Sequence, residues 1–267
     1  MEAGNQILKG RYDVGEIIIE LNNLSKTFEQ KSGMLKALDE TSFKIHSGEF
    51  ICLLGPSGCG KSTILNIIAQ LDKNYSGTVK IHGKPLGEAK LRVGYIFQEP
   101  RLLPWLTIEE NLVFAMKYAG IDSKDMPDHI QKNLSLVGLR GFEKSHPHQL
   151  SGGMQQRAAV ARAFCTDPEI LLLDEPFSGL DEITARSLRK ELVRIWEQTG
   201  KTILFVTHNW AEATFLSDRI LMMCSRPGKV IKEFSVPVNR PRDYEDTELF
   251  KFSSFVVKEF LETLGEQ

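Results

Sequence analysis

Nine residues, Gly55-Pro56-Ser57-Gly58-Cys59-Gly60-Lys61-Ser62-Thr63, follow the spacing G-x-x-x-x-G-K-[ST], which suits a polyphosphate. Three glycines reach backbone conformations closed to other residues and turn several N–H groups toward one point. Lys61 adds a compact positive charge for terminal phosphates, and Ser62 places a hydroxyl oxygen for Mg²⁺. A helix starting at Lys61 contributes roughly half a positive charge at its N-terminus, where an anion is favoured. The pattern points to nucleoside triphosphate binding and leaves the class of NTPase open.

A second segment, Ile170-Leu171-Leu172-Leu173-Asp174-Glu175-Pro176, is an apolar strand that ends in two carboxylates. Such a strand is a rigid mount: Asp174 can complete the Mg²⁺ shell begun by Ser62, and Glu175 can orient or deprotonate an attacking water. A third, Leu150-Ser151-Gly152-Gly153-Met154-Gln155-Gln156-Arg157, leads into an Ala-rich helix with Ser151 as a natural N-cap and glycines that expose the free N–H groups. Spacing alone also fits an ordinary capped helix. One nucleotide does not need two phosphate clamps separated by a helical insertion, but the second is accounted for if it serves a nucleotide held by another copy. His208 after Val206-Thr207 and Gln98 in a polar loop would, in isolation, be unremarkable surface or core residues. Phe28 after a strand would ordinarily be core.

The elements that must carry these residues read as mixed β and α. Glu16–Leu21 and Ser42–His46 alternate with strand period, Phe50–Leu54 is a continuous apolar run for a strand buried on both faces, and Thr78–His82 and Val93–Phe97 read as further strands. From Thr107 to about Ala163 the pattern is helical, with Ile108, Leu112 and Ala115 on one face and Pro127 near the start of a second helix. Strands return at Ile170–Leu173 and Lys201–Val206, separated by an amphipathic stripe of Ile183, Leu188, Leu192 and Trp196. The order predicts a nucleotide-binding core bracketing a helical subdomain. After Arg226-Pro227-Gly228 the tail reads as two short strands, Val230–Phe234 and around Ser235–Val238, then a charged helix with a Phe-rich stripe at Phe250, Phe252, Phe255, Val256 and Phe260. Such a stripe is a packing face or a docking face for a partner helix. Residues up to about Val14 read as a polar, frayed start.

Composition narrows the partners. A formal net charge of −2 gives no electrostatic footprint for bulk nucleic-acid binding, and none is expected. Residues 1–6 lack the features of a signal peptide, and no apolar run approaches the roughly 18 residues of a membrane span. A cytoplasmic protein is expected, attached to a membrane only through a partner. The four cysteines, Cys52, Cys59, Cys165 and Cys224, have no metal-binding spacing and read as reduced thiols. Cys59, inside an electropositive loop at a helix N-terminus, is expected to have a depressed pKa and to react with thiol reagents.

Taken together, the phosphate loop, Gln98, the Leu150–Arg157 segment, the Leu-Leu-Leu-Asp-Glu-Pro strand, Ser178-Gly179-Leu180-Asp181 and Val206-Thr207-His208 resemble the ordered motif set of ATP-binding cassette (ABC) transporter ATPase subunits. The likeness spans residues 16–240, with a helical subdomain at about 101–163 and a C-terminal helical tail at 241–267. Phe97-Gln98-Glu99-Pro100-Arg101-Leu102-Leu103-Pro104-Trp105-Leu106-Thr107 and Ser225-Arg226-Pro227-Gly228 resemble the nitrate/sulfonate/taurine importer branch.

The resemblance implies an α/β fold: a P-loop NTPase (RecA-like) core, an antiparallel β subdomain and the inserted α-helical subdomain. It implies a head-to-tail homodimer sandwiching two ATP, each between the phosphate loop of one subunit and Ser151-Gly152-Gly153 of the other. It further implies that Lys61 contacts the β- and γ-phosphates, Ser62 and Asp174 hold Mg²⁺, and Gln98 senses Mg²⁺ and the water. Glu175 is then the catalytic base, His208 touches the γ-phosphate, Asp181 communicates across the dimer and Phe28 stacks on adenine. Gly179 departs from the alanine common in relatives, which adds backbone freedom in that loop. Implied partners are a second ATPase subunit, membrane permease subunits and, indirectly, a solute-binding protein, on the cytoplasmic face of the membrane. Leu102, Leu103, Trp105 and Leu106 either pack the helical subdomain or face a coupling helix of the permease. A soluble ABC ATPase of DNA repair or translation is an alternative, although those usually carry coiled-coil insertions or tandem cassettes. A phosphate-loop kinase or GTPase fits less well, for the chain has no N-K-x-D guanine-reading motif.

Overall fold

The structure is a computed structural model that describes residues 15–265 apart from Ser32, Lys90 and Arg226. The readings of residues 1–14 as a frayed, leaderless start therefore lie outside the described residues, as does the arginine of the Ser225–Gly228 segment.

Two sheets form the frame. The first is antiparallel, with β1 (Ile17–Gln30), β2 (Gly33–His46), β4 (Ser76–Ile81) and β5 (Lys84–Pro85) in the order β2-β1-β4-β5. The second has six strands, β10-β9-β3-β8-β7-β6: β3 (Phe50–Leu54), β6 (Val93–Ile96), β7 (Ile170–Asp174), β8 (Thr202–Thr207), β9 (Arg219–Cys224) and β10 (Lys229–Ser235). Within it β3, β6, β7, β8 and β9 pair in parallel, and β10 returns antiparallel along β9. All of β3 and β8 is buried, as continuous apolar strands of a covered parallel sheet must be.

Successive side chains of these strands serve two cores. Phe50, Cys52, Leu54, Leu171, Leu173, Ile203 and Phe205 face the helical side. Ile51, Leu53, Ile170, Leu172, Leu204 and Val206 pack toward the antiparallel sheet and toward α1 (Lys61–Ile68). The period of two that reverses each side chain thus fixes the catalytic strands between two apolar layers.

Helices α2 (Ile108–Tyr118), α3 (Met126–Leu136) and α4 (Gly152–Cys165) lie between β6 and β7 in the chain. Thr107 caps α2 in a reciprocal capping box with Glu110, and Pro127 sits in the first turn of α3. The helical reading of 107–163 is interrupted: residues 138–150 contain only a 3₁₀ turn at Pro147–Gln149. Next come α5 (Glu182–Thr199), α6 (Trp210–Leu216) and α7 (Thr247–Gly265). Ile183 departs from the predicted apolar stripe of α5: it is 84% exposed, whereas Leu188 and Leu192 are buried. The expected second tail strand at 235–238 is absent, because Pro237 has no N–H to donate and Val236 N–H instead bonds the Asp218 carbonyl at 2.9 Å. The Phe-rich stripe divides: Val256 and Phe260 are buried, with Phe260 against the Trp210 ring at 4.8 Å, while Phe250 and Phe255 are exposed.

Candidate functional site

The loop from 55 to 60 joins the C-terminal end of β3 to α1, and Gly60 takes φ of 91° as the residue before the helix. Only glycine accepts that conformation without strain. Gly55 is also sterically fixed, since a Cβ there would lie 2.7 Å from the Met223 carbonyl oxygen and 2.9 Å from Cys59 Sγ. Lys61, 4% exposed, bends back so that Nζ donates to the carbonyls of Gly55 at 2.8 Å and Pro56 at 2.9 Å. Engaging a phosphate asks Lys61 only to exchange acceptors within its own loop. Ser57, Gly58 and Ser62 are exposed at its rim, Pro56 and Thr63 half-buried.

Cys59 corrects the sequence expectation. Its side chain is buried and points away from the rim, and burial pushes the thiol pKa up, outweighing the opposing pull of Lys61. A thiol at a helix N-terminus is activated only when water reaches it, and here the apolar second core encloses it.

β7 runs beside β8 and delivers its carboxylates to the same edge. Ser62 Oγ donates to Asp174 Oδ1 at 2.9 Å, bringing together two oxygens 112 residues apart in sequence. Tyr95, at the end of β6, donates its hydroxyl to Asp174 Oδ2 at 3.4 Å, a partner that no motif reading had indicated. Burial raises the Asp174 pKa, opposed by the Ser62 hydrogen bond and reinforced by the Glu175 charge. A divalent cation would relieve that unfavourable charge, so Ser62 and Asp174 fit Mg²⁺, which takes a few protein oxygens and completes its shell with phosphates and water. Among the described residues no group of three or more His, Cys, Asp or Glu forms a metal cage, and this mode of binding needs none.

Glu175 sits just past β7 with φ of +45°, a conformation a non-glycine residue holds only when its surroundings impose it. Its N–H bonds the Val206 carbonyl of β8 at 3.0 Å. Its carboxylate lies between Lys61 Nζ, at 3.7 Å, and His208 Nδ1, at 2.8 Å. His208 is exposed at the end of β8. One carboxylate is therefore aimed by a cation on one side and an imidazole on the other. Gln98 Nε2 donates to Ser178 Oγ at 2.7 Å, tying the loop after β6 to the turn after Glu175. That loop is braced by α4: Arg162 donates to the carbonyls of Arg101 at 2.7 Å and Pro100 at 2.9 Å, and Gln156 to that of Phe97 at 3.4 Å.

Ser151 caps α4, its Oγ accepting from Met154 N–H at 3.3 Å. Among the described residues no hydrogen bond or ion pair joins Ser151, Gly152 or Gly153 to the 55–63 loop; their neighbours are Leu180 and Thr184. Asp181 caps α5 by accepting from Thr184 N–H at 3.0 Å, which holds its carboxyl below the usual range. Phe28, on β1 opposite Leu35, is 37% exposed and has Lys26 Nζ 4.7 Å over its ring.

A phosphate loop, an Asp-Glu strand end and a separate capped Ser-Gly-Gly helix in one chain define a narrow class, and the ABC transporter family profile matches residues 38–178. The chain belongs to the ABC transporter family. Among similar ABC proteins, the aliphatic sulfonates import ATP-binding protein SsuB of Bacillus cereus is 41% identical over 242 residues, 91% of this chain and 95% of that protein. The nitrate import ATP-binding protein NrtD of Synechococcus elongatus is 41% identical over 225 residues, 83% and 82% of the two chains. The dimeric structure of an ATP-binding cassette in a post-hydrolysis state, bound to ADP and Pi, superposes with a TM-score of 0.71 at 34% identity over 83% of this chain and all of that one. This ABC protein is an ATPase with the P-loop NTPase fold, and its described residues contain no helix long and apolar enough to cross a membrane.

Proposed function

We propose that the chain is the ATP-hydrolysing subunit of an importer for a small sulfonate-, nitrate- or taurine-like solute. It works as a homodimer on the cytoplasmic face of a membrane beneath separate permease subunits. The observation that carries this reading is the convergence of Lys61, Ser62, Asp174, Glu175 and His208 at the C-terminal ends of β3, β7 and β8. Relatives named as import ATP-binding proteins along most of their length support the transport role over a soluble, non-transport ABC ATPase.

In this reading the N–H groups of Gly55 to Thr63 cradle the ATP phosphates, and Lys61 neutralises the β- and γ-phosphates. Phe28 stacks on the adenine. Ser62 and Asp174 would hold Mg²⁺ and Gln98 would sense it; when bound, the ion would supply neutralisation of the negative charge on the transferring phosphate. Glu175 accepts the proton of the attacking water, and His208 keeps the Glu175 carboxylate turned toward that water while reaching the γ-phosphate. Ser151, Gly152 and Gly153 close the site from the second subunit, and Asp181 carries the state of one site to the other.

The permease is met at Trp105. The turn from Leu103 to Thr107 is pinned by the fully buried Asn111, whose side chain accepts from Leu103 N–H at 2.8 Å and donates to the carbonyls of Leu103 at 3.1 Å and Thr107 at 2.9 Å. Trp105 is nevertheless 70% exposed. A rigid turn that spends a buried amide to display an indole suits a docking knob. The test is hydrolysis and trapping: Glu175→Gln should bind ATP, hydrolyse it at least about 100-fold more slowly and accumulate as a closed dimer, and co-purify with a polytopic membrane protein. Near-normal turnover removes Glu175 as base, and absence of any membrane partner removes the transport role.

A further inference from the structure

Behind the His208 loop lies a buried charge that the proposed chemistry does not use. Arg189, in the middle of α5, is 1% exposed. Its Nη2 meets Glu182 Oε2 at 3.0 Å, its Nε faces Glu212 Oε1 at 3.9 Å and donates to the Ala185 carbonyl at 3.2 Å. The rings of Phe177 and Tyr244 stand 5.9 Å and 5.3 Å from the guanidinium. Glu182 follows Asp181 directly, and Phe177 stands two residues after Glu175.

Glu212 connects this charge to His208. Thr207 Oγ1 donates to Glu212 Oε2 at 2.6 Å and accepts from Asn209 N–H at 3.0 Å, so one hydroxyl fastens the residues on both sides of His208. Glu212 lies in the first turn of α6, and the far end of that helix is held by the tail. Arg242 Nη1 donates to the carbonyls of Thr214 at 3.0 Å, Phe215 at 3.0 Å and Ser217 at 2.7 Å, and Tyr244 stacks on Phe215 at 4.1 Å with 9° between ring planes. Arg186 covers Tyr244 at 4.7 Å.

Burying an arginine beside carboxylates gives little net stability, because desolvation offsets the attraction, and an apolar packing of similar volume would hold the helices at least as well. What the pair adds is a fixed relation between the starts of α5 and α6, the two helices from which its carboxylates come. We infer that Arg189 and Glu212 are positioning residues that couple the Asp181 loop to His208, and that the C-terminal segment at Arg242 and Tyr244 braces the coupling from behind. A displacement of the Asp181 loop is carried through Glu182, Arg189, Glu212 and Thr207 to the imidazole that aims Glu175. This rests on the roles given above to His208, Glu175 and Asp181.

The experiment compares Arg189→Met, Glu212→Gln, their double variant and His208→Ala in the full chain, measuring kcat, KM for ATP and Tm. Coupling predicts that each single variant loses about tenfold in kcat, that KM stays within about twofold, and that the double variant falls no further than the worse single one. Arg189→Lys, which keeps the charge but loses the fork, should fold and show the same split between kcat and KM. Normal kcat in both single variants, or additive losses with a parallel rise in KM, overturns the inference. If His208→Ala retains full turnover, the site reading itself fails; if His208→Ala is inactive while the other variants are normal, only the coupling fails.

Discussion

Gly228 offers a sharp perturbation, because its only offence as alanine would be one methyl group. A Cβ there would stand 1.9 Å from the carbonyl oxygen of Cys59 in the phosphate loop and 2.9 Å from that of Ala37 in β2. A relaxed C···O contact is about 3.3 Å, so the Cys59 carbonyl and residue 228 must separate by about 1.4 Å. Residue 228 cannot simply retreat. Its N–H bonds the Ala37 carbonyl at 2.9 Å, and its own carbonyl accepts from Asp39 N–H at 2.9 Å and Thr41 Oγ1 at 3.2 Å. Overpacking of this size costs about 1–3 kcal/mol, and each hydrogen bond given up about 1 more.

If half of a total near 3 kcal/mol falls on the phosphate loop, ATP affinity drops about tenfold. The whole of it lowers Tm by about 6–12 °C. Titration of the Gly228→Ala chain with a fluorescent ATP analogue, beside a thermal melt with and without nucleotide, checks both. An unchanged Kd with a Tm within about 1 °C of the parent would refute the steric reasoning.

Other consequences follow from the same geometry. Asp174→Asn should raise Tm while abolishing Mg²⁺-dependent hydrolysis; burial raises the folded-state pKa of Asp174, so its ionised form opposes folding at neutral pH and neutralising it removes that cost. A lowered Tm contradicts this. Cys59 should resist iodoacetamide at pH 7 in the folded chain and react only on denaturation; rapid labelling that ATP prevents would restore the exposed-thiol expectation. Trp105→Ala should leave the ATPase of the isolated chain unchanged and reduce permease association; wild-type transport with unchanged association removes Trp105 from the docking surface.

Much of the site was legible because its motifs carry their own backbone requirements. The glycines at 55, 58 and 60 and the apolar run before Asp174 name a loop and a strand without help from distant residues. The residues that escaped notice depend on distant partners. Tyr95 reaches Asp174 across 79 positions, and Gly228 matters because of Cys59 and Ala37. Arg189 reads in sequence as one more charge on an amphipathic helix, and only the fold of α6 and the tail around it makes it internal. The hairpin of β1 and β2 was underestimated for a different reason. Its register shifts between Leu21 and Leu24, Leu24 and Lys26, and Lys26 and Thr27, so strict alternation fails along a strand that continues to Gln30. Cys59 shows the converse error, an electropositive neighbourhood rightly read and a solvent exposure wrongly assumed.

The central claim, that each ATP site is built from Lys61 of one chain and the Ser151–Gly153 segment of another, is tested most directly by arranging two lesions in a dimer. Lys61→Ala removes the phosphate charge. Gly152→Asp places a carboxylate at the N-terminus of α4, where the fold tolerates it: the position is exposed, and a Cβ there meets only Leu180 at 3.9 Å. Placed in opposite subunits of a doubly tagged dimer, the lesions fall in the same site and leave the other intact, so about half of the wild-type ATPase should remain. Placed together in one subunit opposite a wild-type chain, they damage both sites, and hydrolysis should be lost. The reverse pattern, activity in the second arrangement and none in the first, would contradict the shared site and assign catalysis to a single chain.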